Sequence, residues 1–270
     1  MKQLFLSAID NPGAPNLDMP KIHVAYGWDL TKGQKKQDDI TPTDIQGWAR
    51  SLPTKAHACI DLEPTATEPN SFCFNLNMGL DVVRKSCDRM SALIKAAKAV
   101  RPDLILGTLY CPFAYSQWDT PEKLRAKAMV VASHMTAMPD VIDFDVYRID
   151  PDRTGPDGRR LGGDEWYDRS LAKGIRTARM FDLPVRAWMS PARHLWLKPD
   201  GSLDFLPLTQ FRSDLIRVAS ELEPDRGDRI VGWLTRVKPG PTPGSTVMRN
   251  WDPSWDWHLA FKGVAEECGA

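Results

Sequence analysis

Seven short runs rich in apolar and aromatic residues recur along the chain: QLFLSAI (3–9), KIHVAYGW (21–28), AHACIDLE (56–63), LILGTLYC (104–111), VIDFDVYR (141–148), PVRAWMS (184–190) and RIVGWLT (229–235). Each has the length of a single strand. Longer stretches of helical periodicity separate them. The clearest covers residues 77–100, where Leu80, Val83, Cys87, Met90, Ile94 and Ala97 recur at three- and four-residue steps and trace one face of a helix. Arg101-Pro102-Asp103 stops that helix before the next strand. Further helices are predicted over 43–50, 121–137, 165–181, 209–222 and 255–267.

Strands alternating with helices pair in parallel through right-handed crossovers. An open doubly wound sheet and a closed barrel both meet that condition, but no G-x-G-x-x-G or Walker loop follows the first strand. The expected fold is therefore α/β: a single TIM-like (β/α) barrel with seven or eight parallel strands, spanning residues 1–270 as one domain. Two segments rich in Gly, Pro and charge, 148–164 and 237–246, follow strands and are expected as loops at the C-terminal rim, where barrels of this kind place their active sites.

Alternation within two of the strands changes the picture. In HACIDLEP (57–64) a strand would put Ala58, Ile60 and Leu62 on one face and His57, Cys59, Asp61 and Glu63 on the other. VIDFDVYR repeats the scheme, with Asp143, Asp145 and Tyr147 opposite Ile142, Phe144 and Val146. In a barrel the apolar face meets the helices and the acids turn inward near the rim. Two neighbouring carboxylates raise one another's pKa, and partial burial raises it further, so one of them can stay protonated and act as a general acid. Cleavage of a glycosidic bond requires such an acid and a second group that supports the oxocarbenium-like centre. The structural alternative is that Asp61 and Glu63 cap the strand end, and that Asp143 or Asp145 pairs with Arg148 or Arg186.

Aromatic residues gather at the same predicted strand ends: Tyr26, Trp28, Tyr110, Tyr147, Trp188 and Trp233. Each taken singly is core material; together they form a candidate carbohydrate cleft, since sugar C–H faces stack on such rings. Trp251 and Trp255 are expected instead to pack a helix N-terminus onto the barrel.

Bulk composition narrows the classes of partner. Lys plus Arg and Asp plus Glu both number 35, so no net charge draws the chain to nucleic acid or to an anionic membrane. No apolar stretch approaches the ~18 residues of a membrane span. The N-terminal apolar run is too short for a signal peptide, so the expected location is cytoplasmic, or outside the cell after lysis. Cysteines at 59, 73, 87, 111 and 268 lack C-x-x-C spacing and read as reduced thiols, with Cys59 and Cys111 as packing residues. Histidines at 23, 57, 134, 194 and 258 show neither H-x-H nor H-E-x-x-H spacing, and no G-x-S-x-G elbow is present. No metal and no cofactor are expected.

CIDLEP (59–64), followed by a long helix and then by RPDLILGTLYCPFAY (101–115), resembles the hyaluronidase family of glycoside hydrolases. That family has a seven-stranded (β/α) barrel, with a D-W-E strand and, after the helix, an R-P strand ending in tyrosine. The resemblance implies Glu63 as general acid and Asp61 as the residue that positions the substrate's own 2-acetamido group as nucleophile. It places Tyr110 against the substrate, and Leu62 stands where the family has an aromatic. The D-x-E strand is also similar to that of lysozyme-type phage muramidases, in which Asp10 of AIDNPG (8–13) would add a further acid. The expected function is a glycoside hydrolase acting on a polysaccharide that contains N-acetylhexosamine. The alternative is a non-catalytic barrel that binds carbohydrate or serves a larger assembly.

Overall fold

A computed structural model describes residues 4–8, 19–26, 30, 39–62, 80–109, 120–148, 163–197, 203–233, 237–239, 246–248 and 257–268. In chain order these contain β1 (Phe5–Ser7), β2 (Ile22–Tyr26), α1 (Pro42–Ser51), β3 (His57–Asp61), α2 (Leu80–Val100), β4 (Ile105–Leu109), α3 (Pro121–His134), β5 (Val141–Asp145) and α4 (Gly163–Met180). There follow β6 (Val185–Met189), β7 (Ala192–Leu197), β8 (Leu203–Phe205), α5 (Leu208–Glu221), β9 (Arg229–Gly232), β10 (Val237–Pro239), β11 (Thr246–Met248) and α6 (Trp257–Glu267).

Seven strands form one sheet in the order β1-β9-β6-β5-β4-β3-β2. The pairs β2–β3, β3–β4, β4–β5, β6–β9 and β1–β9 are parallel. β5 meets β6 through Ile142 N–H to the Pro184 carbonyl (3.0 Å) and Val146 N–H to the Trp188 carbonyl (2.8 Å), a constant offset that marks a parallel ladder. A doubly wound sheet keeps its first strand inside and winds outward in both directions. Here the chain steps from each strand to the next neighbour, and β1 pairs with the last strand, β9. Ser7 also bridges to Lys21, just before β2, with Ser7 N–H donating to the Pro20 carbonyl at 3.0 Å. This cyclic order is that of a singly wound (β/α) barrel of seven parallel strands, as the sequence pattern predicts.

The chain divides into two compact units, one of residues 22–144 with 173–185 and one of residues 1–21, 145–172 and 186–270. In the first, α1 and α2 cover one face of β2, β3 and β4. Ala58, Ile60 and Leu62 join Ala25, Leu106 and the helix residues Ile45, Ala49, Met90, Ile94 and Ala97 in a buried cluster. The predicted helix face holds at Cys87, Met90, Ile94 and Ala97, all buried. Helix α1 starts where Thr41 and Asp44 close a capping box with Pro42 at the first turn. Its far end is tied to the end of α2 by Arg101, whose guanidinium donates to the carbonyls of Ala49, Leu52 and Pro53 and to both oxygens of Asp103.

In the second unit α6 covers β1 and β9. Phe261 meets Phe5 edge-on at 5.3 Å and lies over Gly232, where a Cβ would come within 2.7 Å of the ring. Glycine at 232 is therefore a steric requirement of this helix-to-sheet contact. Two antiparallel ribbons follow strand ends: β7 with β8 after β6, and β10 with β11 after β9. The second corrects the expectation of a loop throughout 237–246, because Val237–Pro239 pairs with Thr246–Met248. Three-residue strands around a Gly- and Pro-rich centre are too short to show periodicity. The predicted loop at 148–164 lies outside the described residues except at its two ends. No described helix is long and apolar enough to cross a membrane.

Candidate active site

Strand register aligns three of the candidates within the unit that holds residues 22–144. Tyr26 pairs with Asp61, Asp61 with Leu109, and Leu109 with Asp143, so these four residues form one row across β2, β3, β4 and β5. Residues in register on parallel strands share a face, and alternation puts this row opposite Ala25, Ile60 and the helical layer. Tyr26 and Asp61 are each the last residue of their strand, at the C-terminal edge. Both are half-buried, with Asp61 Oδ1 shielded from solvent, whereas Asp143 is buried at 2% exposure. His57 opens β3 four residues earlier, about 13 Å from Asp61 at ~3.3 Å per residue, which removes it from the edge.

Further candidates belong to the other unit. Leu6, Val231, Trp188 and Arg186 alternate with residues that pack on α6, and so lie on the opposite face. Arg186 and Trp188 are among the largest fully buried side chains, each at 1% exposure. Tyr147 stacks on Trp233 with ring centroids 5.1 Å apart and planes at 24°. Their backbones are held from both sides of β6: Val146 N–H reaches the Trp188 carbonyl, and Trp233 N–H reaches that of Met189 at 2.8 Å. Tyr147 is buried at 3% exposure, while Trp233 is half-buried and forms the more accessible layer of the stack. Asp145 ends β5 half-buried.

The register thus brings together Tyr26, Asp61 and Asp143, and the stack brings together Tyr147 and Trp233. Glu63, Trp28, Tyr110 and Asp10, together with Trp251 and Trp255, lie outside the described residues. Among the described residues no group of three or more His, Cys, Asp or Glu side chains is placed to hold a metal ion.

Behind Tyr147 lies a cluster that the sequence reading did not connect. Arg148 forms a bidentate pair with Asp214 of α5, with Nε to Oδ2 at 2.5 Å and Nη2 to Oδ1 at 2.7 Å. Gln210 donates to Asp214 Oδ1 at 2.9 Å, and the Tyr167 hydroxyl donates to the Asp214 carbonyl at 2.9 Å. The Arg148 guanidinium also lies 5.0 Å from the Tyr167 ring centroid. Burial, reinforced by the Asp214 charge, pushes the Tyr167 phenol far up, so its hydroxyl stays a donor. Asp214 occupies the buried stripe Phe211, Leu215, Val218 of α5. An acid in such a stripe requires a cationic partner, and that is the signal from which the pair could have been inferred.

No protein-family model matches the sequence, and no curated protein matches it. Solved structures similar to the chain include a GH128 (subgroup II) endo-beta-1,3-glucanase from Sorangium cellulosum, at 14% identity and TM-score 0.47, over 91% of this chain and 81% of that one. Another is xylanase 10B from Thermotoga petrophila RKU-1, in complex with xylobiose, at 14% identity and TM-score 0.46, over 93% of this chain and 75% of that one. A third is BuGH86wt in complex with neoagarooctaose, at 12% identity and TM-score 0.46, over 90% of this chain and 44% of that one.

Proposed function

We propose that the protein is a glycoside hydrolase acting on a polysaccharide, with Glu63 as general acid/base and Asp61 as its partner. The observation that carries this reading is the row of Tyr26, Asp61 and Asp143 in register at one level, on the face turned away from the helices. A carboxylate at the last position of β3, beside a tyrosine at the last position of β2, is disposed to act at the C-terminal edge of a (β/α) barrel. Glu63 stands two residues after Asp61 in the sequence, outside the described residues. The stacked Tyr147–Trp233 pair supplies a ring surface suited to a pyranose.

The finer reading is a substrate with N-acetylhexosamine units whose 2-acetamido group attacks the anomeric carbon. Asp61 orients and charge-stabilises that group while Glu63 protonates the leaving oxygen. It rests on the hyaluronidase-like strand pair CIDLEP and RPDLILGTLYCPFAY. A second reading, a non-catalytic barrel that binds glycan or supports a larger assembly, draws on the burial of Asp143, Tyr147 and Trp188.

Release of reducing ends from hyaluronan, chitin oligomers and peptidoglycan tests the proposal. Glu63→Gln keeps the shape but cannot donate the proton, so hydrolysis should fall by about 10²–10⁴-fold with the fold intact. Full activity in that variant removes Glu63 from the role, and binding without hydrolysis by the natural chain supports the second reading. Equal turnover of N-acetylated and de-N-acetylated substrates, with loss of activity in Asp143→Asn or Asp145→Asn, would overturn the acetamido mechanism.

A further inference from the structure

We infer that the Arg148–Asp214 pair is a positioning device for the Tyr147–Trp233 stack, holding the aromatic surface in its working orientation before any glycan arrives. This inference rests on the glycan reading of the stack given above. Tyr147 sits between two anchored neighbours. On one side Val146 N–H is bonded to the Trp188 carbonyl at 2.8 Å. On the other Arg148 leaves the sheet toward α5 and ends in the bidentate grip on Asp214. The backbone on both sides of Tyr147 is thus held, so a pull on Arg148 from α5 determines how the Tyr147 ring is presented to Trp233.

The clamp is built more firmly than chain connectivity requires. Arg148 and Asp214 have side-chain exposures of 10% and 4%. A buried ion pair persists only when its remaining hydrogen-bonding capacity is met, and here Gln210 supplies a third donor to the carboxylate. Tyr167 of α4 adds a ring under the guanidinium and a hydrogen bond to the Asp214 backbone, so α4 and α5 grip the same point. Arg217 lies 5.7 Å from the same ring centroid and pairs with Asp168 at 2.6 Å. The conformational cost of ordering Tyr147 is thereby met within the fold, and a ligand stacking on Trp233 finds the surface preorganised.

Arg148→Lys is the discriminating variant, because lysine keeps the charge but has no planar fork for bidentate pairing. The chain is labelled with 5-fluorotryptophan and the Trp233 resonance is assigned by its loss in Trp233→Phe. Arg148→Lys should shift or broaden that resonance and leave that of Trp48, in the other unit, unmoved. Chitin-oligomer affinity, measured by calorimetry, should weaken by about three- to tenfold, the scale of one aromatic contact. In a Trp233→Ala background the same substitution should cause no further loss, since the clamp acts only through the stack. Equal losses in both backgrounds, or an unmoved Trp233 resonance, would overturn the inference. If Arg148→Lys does not fold, Gln210→Ala removes only the third donor and should give a smaller shift of the same resonance, with no shift counting against the clamp. If no oligomer binds the natural chain, the glycan reading fails by itself, and the resonance alone decides whether Arg148 positions the stack.

Discussion

Alanine in place of Gly174 should destabilise the protein, although glycine is a poor helix residue and the position lies well inside α4. On propensity alone, Gly→Ala in a helix interior gains about 1 kcal/mol. Packing opposes it. A Cβ at 174 would come within 2.3 Å of Phe144 Cδ2, 2.4 Å of Cε2 and 2.5 Å of Cγ. Carbon atoms prefer about 3.5–4.0 Å, so three ring atoms would be overlapped by more than about 1 Å each. Cγ is the root of the ring, and rotation about the ring axis cannot clear it. Phe144 is 2% exposed and is the penultimate residue of β5, so relief must come from moving α4 away from the sheet. Overpacking of this kind costs about 1–3 kcal/mol, which exceeds the propensity gain in most of its range and leaves a net loss of up to about 2 kcal/mol. At this chain length that lowers the melting temperature by up to about 8 °C. Gly47 in α1 and Gly263 in α6 supply internal controls, since no atom lies within 4 Å of a Cβ added at either. There the same substitution should stabilise by up to about 1 kcal/mol. Urea unfolding of the three variants measures the contrast, and Phe144→Leu should relieve the cost at 174 if the ring is its cause. A Gly174→Ala protein as stable as the parent, or three shifts of the same sign, would refute the reasoning.

Two further outcomes follow from local electrostatics. Hydrogen bonds from Arg101, and then from the Lys55 N–H, hold the Asp103 carboxyl well below the ordinary aspartate value of 3.8. A depressed folded pKa gives stability that is fully present above the unfolded value and is lost as pH falls through the folded one. The gap between the natural protein and Asp103→Asn should therefore be constant above about pH 5 and narrow below about pH 4, as read by denaturant unfolding across that range. Among the cysteines at 59, 87 and 268, alkylation of the native protein at about pH 8, mapped by mass spectrometry, should mark Cys268 alone, because it is exposed and the other two are buried. Burial, helped by Asp88, pushes the Cys87 thiol up to about 11, and labelling of Cys87 at the rate of Cys268 would contradict its placement.

Much of the fold was legible because its signals are local. Each of the seven sheet strands falls within a run recognised by its apolar content, and all six helices begin and end within three residues of their predicted bounds. Of these, α3 stops at His134, three residues short of the expected 137 and ahead of Pro139. The alternation in HACIDLEP is reproduced in the placement of Ala58, Ile60 and Leu62 against the helices. What periodicity could not supply was partnership. That Tyr26, Asp61 and Asp143 share one level depends on register between strands, and register is a long-range property. Arg148 reaches Asp214 of α5, 66 positions along the chain, a pairing that local periodicity does not specify. The stack of Tyr147 on Trp233 likewise joins residues whose only link is the sheet order.

The pairing of β1 with β9 sets a timetable for folding. Phe5 waits for Ile230, and Leu6 for Val231, before either has a strand partner. At about 5–20 residues per second, synthesis separates the two strands by roughly ten seconds to under a minute. The unit of residues 22–144 with 173–185 needs no segment beyond 185, so its cluster under α1 and α2 can condense while the rest of the chain is still being made. The other unit gathers three separate segments, and its Phe5–Phe261 contact joins the first of them to the last. Until β9 emerges Phe5 and Leu6 remain an apolar strand seeking an edge, and until α6 follows Phe5 stays uncovered, which are the states from which chains misassociate. Variants that weaken the α6 contact are thus expected to reduce the yield of folded protein more than the stability of what has folded. The same number of methyl groups removed beneath α2 should do the reverse, and the soluble fraction compared with the unfolding midpoint separates the two effects.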